Sequence, residues 1–150
     1  MIMSMDFYSA KGGSFHFSWS DWHTIFALAE MYGWNPVGTQ PATFEGERQK
    51  GDPSQLWTGG YMSNDFQVVT AEDALAMSTA LEAAIKDLPD RDLRPVTREM
   101  VPFRDGHVKE MEFLTDGSED DPKLFWSGSK HKAYVQKFVD FCKCGQFSIC

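Results

Sequence analysis

Between Ser14 and Tyr32 the bulky apolar residues change their spacing, and that change limits what the chain can build. Phe15, Phe17 and Trp19 alternate, which sets all three on one face of a strand. Upstream, Asp6-Phe7-Tyr8-Ser9 supplies a partner strand, and Lys11-Gly12-Gly13 a turn able to take positive φ. From Ser20 onward, Trp22, Ile25, Phe26, Ala29 and Tyr32 recur three and four residues apart, the period of an amphipathic helix. Ser18 or Ser20 caps its start and Gly33 ends it. The sequence therefore predicts a β-hairpin that feeds directly into a helix.

Two more helices follow from the same reasoning. Thr70 is an N-cap with Asp73 three residues on, and Ala74, Met77, Leu81, Ile85 and Leu88 carry the core spacing until Pro89 stops it. Glu72 and Asp73 complement the dipole of its first turn. The last helix runs from about Ser129 to Lys143 with Tyr134, Val135, Phe138, Phe141 and Cys142 inward, and Gly145 ends it. Short strands are expected at Trp57 to Met62, at Phe66 to Val69 around a Ser63-Asn64-Asp65 turn, and at Phe147-Ser148-Ile149. Asp105-Gly106 between Phe103 and Val108 reads as a further hairpin turn. Val37 to Gln55 reads as a long loop and Asp116 to Pro122 as an acidic one. The fold class is α+β, a small antiparallel sheet packed against about three helices in a single layer on one face. All 150 residues are read as one globular domain.

Composition narrows the function. With 42% hydrophobic and 14% aromatic residues the chain has ample material for a core. Its net charge of −8 disfavours the phosphate backbone of nucleic acid and suits, if anything, a basic protein partner. No stretch approaches the roughly 20 apolar residues of a membrane helix, and the opening residues lack the pattern of an export signal. Cys142, Cys144 and Cys150 form an odd set near one end rather than a disulfide framework, which points to a reducing, cytoplasmic setting.

Catalytic signatures are scarce. The chain carries no phosphate-cradling glycine loop, no His-Glu-x-x-His and no Gly-x-Ser-x-Gly. Ser127-Gly128-Ser129-Lys130 matches Ser-x-x-Lys but stands at a helix start without its companion motifs. Cys142, Cys144, Cys150 and His131 include zinc-ligand types, yet the one-residue Cys142–Cys144 gap is too short and Cys142 lies on an apolar helix face, so no metal and no cofactor are assigned. His16, His23, His107 and His131 are scattered over four elements, and no catalytic residue is assigned.

Two loop segments stand out for combining bulky aromatics with small polar residues. Trp34, Asn35, Trp57, Tyr61, Asn64 and Asp65 are the candidate binding residues, because Trp and Tyr bury large area while offering one polar handle. Tyr32-Gly33-Trp34-Asn35-Pro36-Val37-Gly38-Thr39, Trp57-Thr58-Gly59-Gly60-Tyr61, Ser63-Asn64-Asp65 with Gln67-Val68-Val69, and Phe138 to Lys143 together resemble a group of small bacterial proteins of unknown function. That likeness implies a bacterial or phage-like cytoplasmic origin and carries over no catalytic residue. Such sequences usually place Gly after Asn-Asp, where this chain has Phe66. The expected function is an acidic protein-binding module of the immunity or inhibitor kind. The alternative is a small-ligand-binding protein or enzyme with an aromatic-lined pocket.

Overall fold

The computed structural model describes residues 4–41, 59–94, 96–114 and 121–150. β1 (Ser4–Ser9) and β2 (Ser14–Ser18) form the expected antiparallel hairpin, with Met5 opposite Phe17 and Phe7 opposite Phe15. Trp19 departs from the expected strand pattern. Ser18 caps α1 (Trp19–Met31) by accepting the Asp21 N–H at 3.1 Å, so the strand ends one residue before Trp19. The Trp19 indole lies over the His23 ring one turn on, at 5.1 Å between centroids. Trp22, Ile25, Leu28 and Ala29 form the buried stripe of α1.

The main sheet runs β2-β1-β6-β3, every neighbouring pair antiparallel, with β3 at Gln67–Val69 and β6 at Phe147–Ile149. β6 is therefore an inner strand, with Ile149 facing Phe7 on one side and Gln67 on the other. Gln40 extends the far edge through a bridge to Val68. Of the strand expected at Trp57 to Met62, positions 57 and 58 lie outside the described residues, and 59–62 form no strand. Their backbone is instead tied to a neighbouring segment, Thr39 donating from N–H to the Gly59 carbonyl and from Oγ1 to the Gly60 carbonyl.

The Ser63-Asn64-Asp65 turn is held by the fully buried Gln67, whose Nε2 donates to the Ser63 carbonyl at 2.6 Å while its Oε1 accepts the Asp65 N–H. Phe66, in the position expected for Gly, has φ +61°, the left-handed region that costs a side-chain-bearing residue about 1–2 kcal/mol.

Three helices cover one face of the sheet: α1, α2 (Ala71–Asp87) and α4 (Ser129–Cys142). Met5, Phe7, Phe17, Val69, Phe147 and Ile149 point into the same core as Trp22, Met77, Leu81, Val135 and Phe138. Phe7 sits at its centre, with ring centroids 4.8 Å from Trp22, 5.3 Å from Phe147 and 5.8 Å from Phe138. A fourth helix, α3 (Pro122–Phe125), is one turn long and capped by Asp121. No helix among the described residues is long and apolar enough to cross a membrane.

The turn expected at Asp105-Gly106 belongs to a longer hairpin of β4 (Val96–Pro102) and β5 (Val108–Leu114), a separate two-stranded sheet. Gly106 takes φ +85° in its turn, where the Gly106 N–H donates to the Phe103 carbonyl.

Phe66 orders one pair of substitutions. The Phe66→Gly variant is expected to be more stable than Phe66→Ala by about 1 kcal/mol in urea denaturation, the reverse of the usual order, because only glycine escapes the backbone strain.

Candidate functional site

Trp34 and Tyr61 do come together, with ring centroids 5.6 Å apart and planes nearly perpendicular, and Phe26 packs against both. They close on Asp73, which is 2% exposed in the first turn of α2. Its Oδ1 accepts the Trp34 indole N–H at 2.9 Å, and its Oδ2 accepts the Tyr61 hydroxyl at 2.5 Å. The Tyr61 oxygen in turn accepts the Gly38 N–H at 2.8 Å, and the Tyr61 carbonyl accepts the Trp22 indole N–H. Burial, and then the Asp73 carboxylate, raise the Tyr61 pKa far above that of an ordinary phenol. Here the two aromatics are structural, since every polar handle they own is spent inside the protein.

The other candidates lie elsewhere. Asn35 is exposed. Asn64 donates from Nδ2 to the Ser4 carbonyl, while its Oδ1 is buried without a partner. Asp65 is exposed, and Trp57 lies outside the described residues. Asp73 is the residue that reading the sequence misses as a hub. Its position three after Thr70 signals a cap, and its N–H does donate to Thr70 Oγ1, but nothing local reveals that distant donors converge on its carboxylate.

The cysteines are dispersed in chemistry as well as position. Cys142 is buried, which pushes its thiol pKa well up, whereas Cys144 is exposed and Cys150 half-buried. His131 is occupied at the other end of α4, its Nδ1 bonded to the Ser127 carbonyl at 2.6 Å. A carbonyl only accepts, so Nδ1 carries the hydrogen. Among the described residues no group of three or more His, Cys, Asp or Glu side chains is placed to hold a metal ion.

A cleft of about 410 Å³ opens beside that helix start, lined by Asp21, Arg94, Trp126, Lys130, His131 and Tyr134 among others. Arg94, one of its cations, is engaged by the segment that borders it. Arg94 clasps both oxygens of Asp92, holding that carboxyl below its usual pKa, and Lys132 pairs with Asp90 at 2.8 Å. Ser127 accepts the Leu93 N–H and donates to the Leu124 carbonyl, so the Ser-x-x-Lys match holds a fully buried, doubly bonded hydroxyl rather than a nucleophile.

The β4–β5 hairpin presents the opposite case, apolar side chains left exposed. Register puts Met100, Pro102, Val108 and Glu110 on one face, and Val101, Phe103, Lys109 and Met111 on the other. Met100 is 63% exposed, Val108 54% and Phe103 44%. The Phe103 N–H donates to the His107 carbonyl, so this pair and every second pair beyond it carry the ladder bonds. The backbone groups of Arg98, Met100 and Pro102 on β4, and of Val108 and Glu110 on β5, consequently turn outward. Pro102 has no N–H to offer there, which blunts the β4 edge; β5 contains no proline.

The chain matches no protein-family model, no curated protein and no solved structure.

Three outcomes are expected. Asp73→Ala leaves two buried donors unpaired and lowers unfolding free energy by about 2–5 kcal/mol, and Tyr61→Phe by about 1–3 kcal/mol, both read from chemical denaturation. In the folded protein a thiol reagent labels Cys144 first, and Cys142 reacts only on unfolding.

Proposed function

We propose that this chain is a non-enzymatic protein-binding module that engages its partner through the β4–β5 hairpin. The observation that carries the reading is the exposure of apolar side chains on both faces of a two-stranded sheet. An isolated pair of strands is marginally stable in water, and exposed apolar surface of this kind commonly marks an interaction site. Met100 and Val108 on one face, and Phe103 and Met111 on the other, supply the anchors. The net charge of −8 favours encounter with a basic partner. The aromatic-pocket alternative loses its support because Trp34 and Tyr61 are packed around Asp73.

A photo-crosslinking residue at position 104, introduced into the protein in its host, tests this reading. One discrete protein adduct is expected. It is lost in both Met100→Ser/Val108→Ser and Phe103→Ser/Met111→Ser, while stability stays within about 1 kcal/mol, as surface changes generally do. Absence of an adduct, or its persistence in both double variants, overturns the proposal.

A further inference from the structure

We infer that the outer edge of β5 is a strand-addition site for an extended peptide that sets a basic side chain opposite Glu110 and an apolar one opposite Val108. The inference rests on the hairpin being the docking element and names what docks there. The two edges of the hairpin are not equivalent. On β4 an outward-turned position is Pro102, which cannot donate, whereas Val108 and Glu110 on β5 each turn an N–H and a carbonyl outward. An added strand satisfies such groups with main-chain hydrogen bonds, and alternate side chains set its specificity.

Charge decides the occupant. Side chains directly opposite across an antiparallel pair lie roughly 4.5–5.5 Å apart, close enough for opposite charges to favour pairing and like charges to oppose it. Among the described residues Glu110 pairs with Arg98 at 3.9 Å, with both side chains more than half exposed. Such a pair is weak, so Glu110 keeps most of its capacity to attract another cation. Val108, two residues away on the same face, offers the apolar contact.

A second copy of the chain suits this edge poorly. Outward groups pair only with outward groups, which permits registers centred on Lys109, on Glu110 or on Met111. These oppose Lys109 with Lys109, Glu110 with Glu110, and Glu110 with position 112, also a glutamate. A basic segment of another protein meets none of these repulsions, and the net charge of −8 attracts it.

The test uses two end-blocked synthetic peptides, Thr-Val-Thr-Lys-Thr-Val-Thr and its counterpart with Glu for Lys, titrated into the full chain while amide hydrogen exchange is followed by NMR. The lysine peptide is expected to slow exchange at the outward Val108 and Glu110 amides at least threefold more than the glutamate peptide does. Glu110→Lys is expected to invert that preference. Glu110→Pro, which removes one outward N–H and leaves the inward ladder amides of Lys109 and Met111 protected, abolishes the effect. Absence of protection, equal protection by the two peptides, or unchanged response in Glu110→Pro overturns the inference. The crosslinked partner separates the two levels. If its adduct is lost in the apolar-to-serine variants but unchanged in Glu110→Pro and Glu110→Lys, hairpin docking stands and strand addition falls.

Discussion

Asp73 holds both carboxylate oxygens against donors that reach it from far along the chain, Trp34 lying 39 residues before it and Tyr61 12. A buried carboxylate without partners is costly, and removing either donor exposes that cost. The first turn of α2 lowers it further, because the N-terminal end of a helix favours negative charge. The arrangement fixes where two irregular segments run: Gly38 is bonded to the Tyr61 hydroxyl, Thr39 to Gly59 and Gly60, and Gln40 to Val68. The edge of the main sheet at β3 and the seat of α1 against α2 both depend on that junction. What looks from composition like an exposed aromatic surface is a polar weld inside the core.

The same economy operates at the other end of α2. Gly128 and Ser129 donate their N–H groups to the Pro89 and Asp90 carbonyls, and Lys132 reaches the Leu88 carbonyl. α4 thus starts without a side-chain cap, its first donors being satisfied by the chain that leaves α2. Gly128 takes φ +96°, and a Cβ there would come within 3.3 Å of the Asp92 backbone, so only glycine permits this approach. The cleft nearby borders this joint, and its Arg94 is answered by Asp92 of the same segment.

Elements written in periodic, capped sequence were legible. The first hairpin, three helices with caps at Ser18 and Thr70, and the return strand at Phe147 all follow from spacing and from residues that satisfy helix ends. Trp19 was misplaced because alternation does not register that Ser18 switches the backbone to helix. The short α3 escaped because one turn has no period to read. For the candidate binding residues, the sequence groups Trp34 with Tyr61 and leaves core packing open beside an interface role, since loop composition resembles core composition wherever a loop is pinned; the structure buries both against Asp73. The β4–β5 hairpin is legible from the Asp105-Gly106 turn between Phe103 and Val108, though its length is not. Its exposed faces are a tertiary fact, because alternation reads alike whether or not something packs on the strand.

The position of β6 bears on when this fold can form during synthesis. Its three residues separate β1 from β3, so the hairpin and the helices are made before the strand that joins them to the far edge exists. Before β6 pairs, Phe7 and Val69 lack the cross-strand neighbours Ile149 and Phe147, and β1 and β3 each keep an unpaired edge. Completion of the core therefore waits on β6, and the partly folded species that precedes it exposes unpaired strand edges and apolar surface.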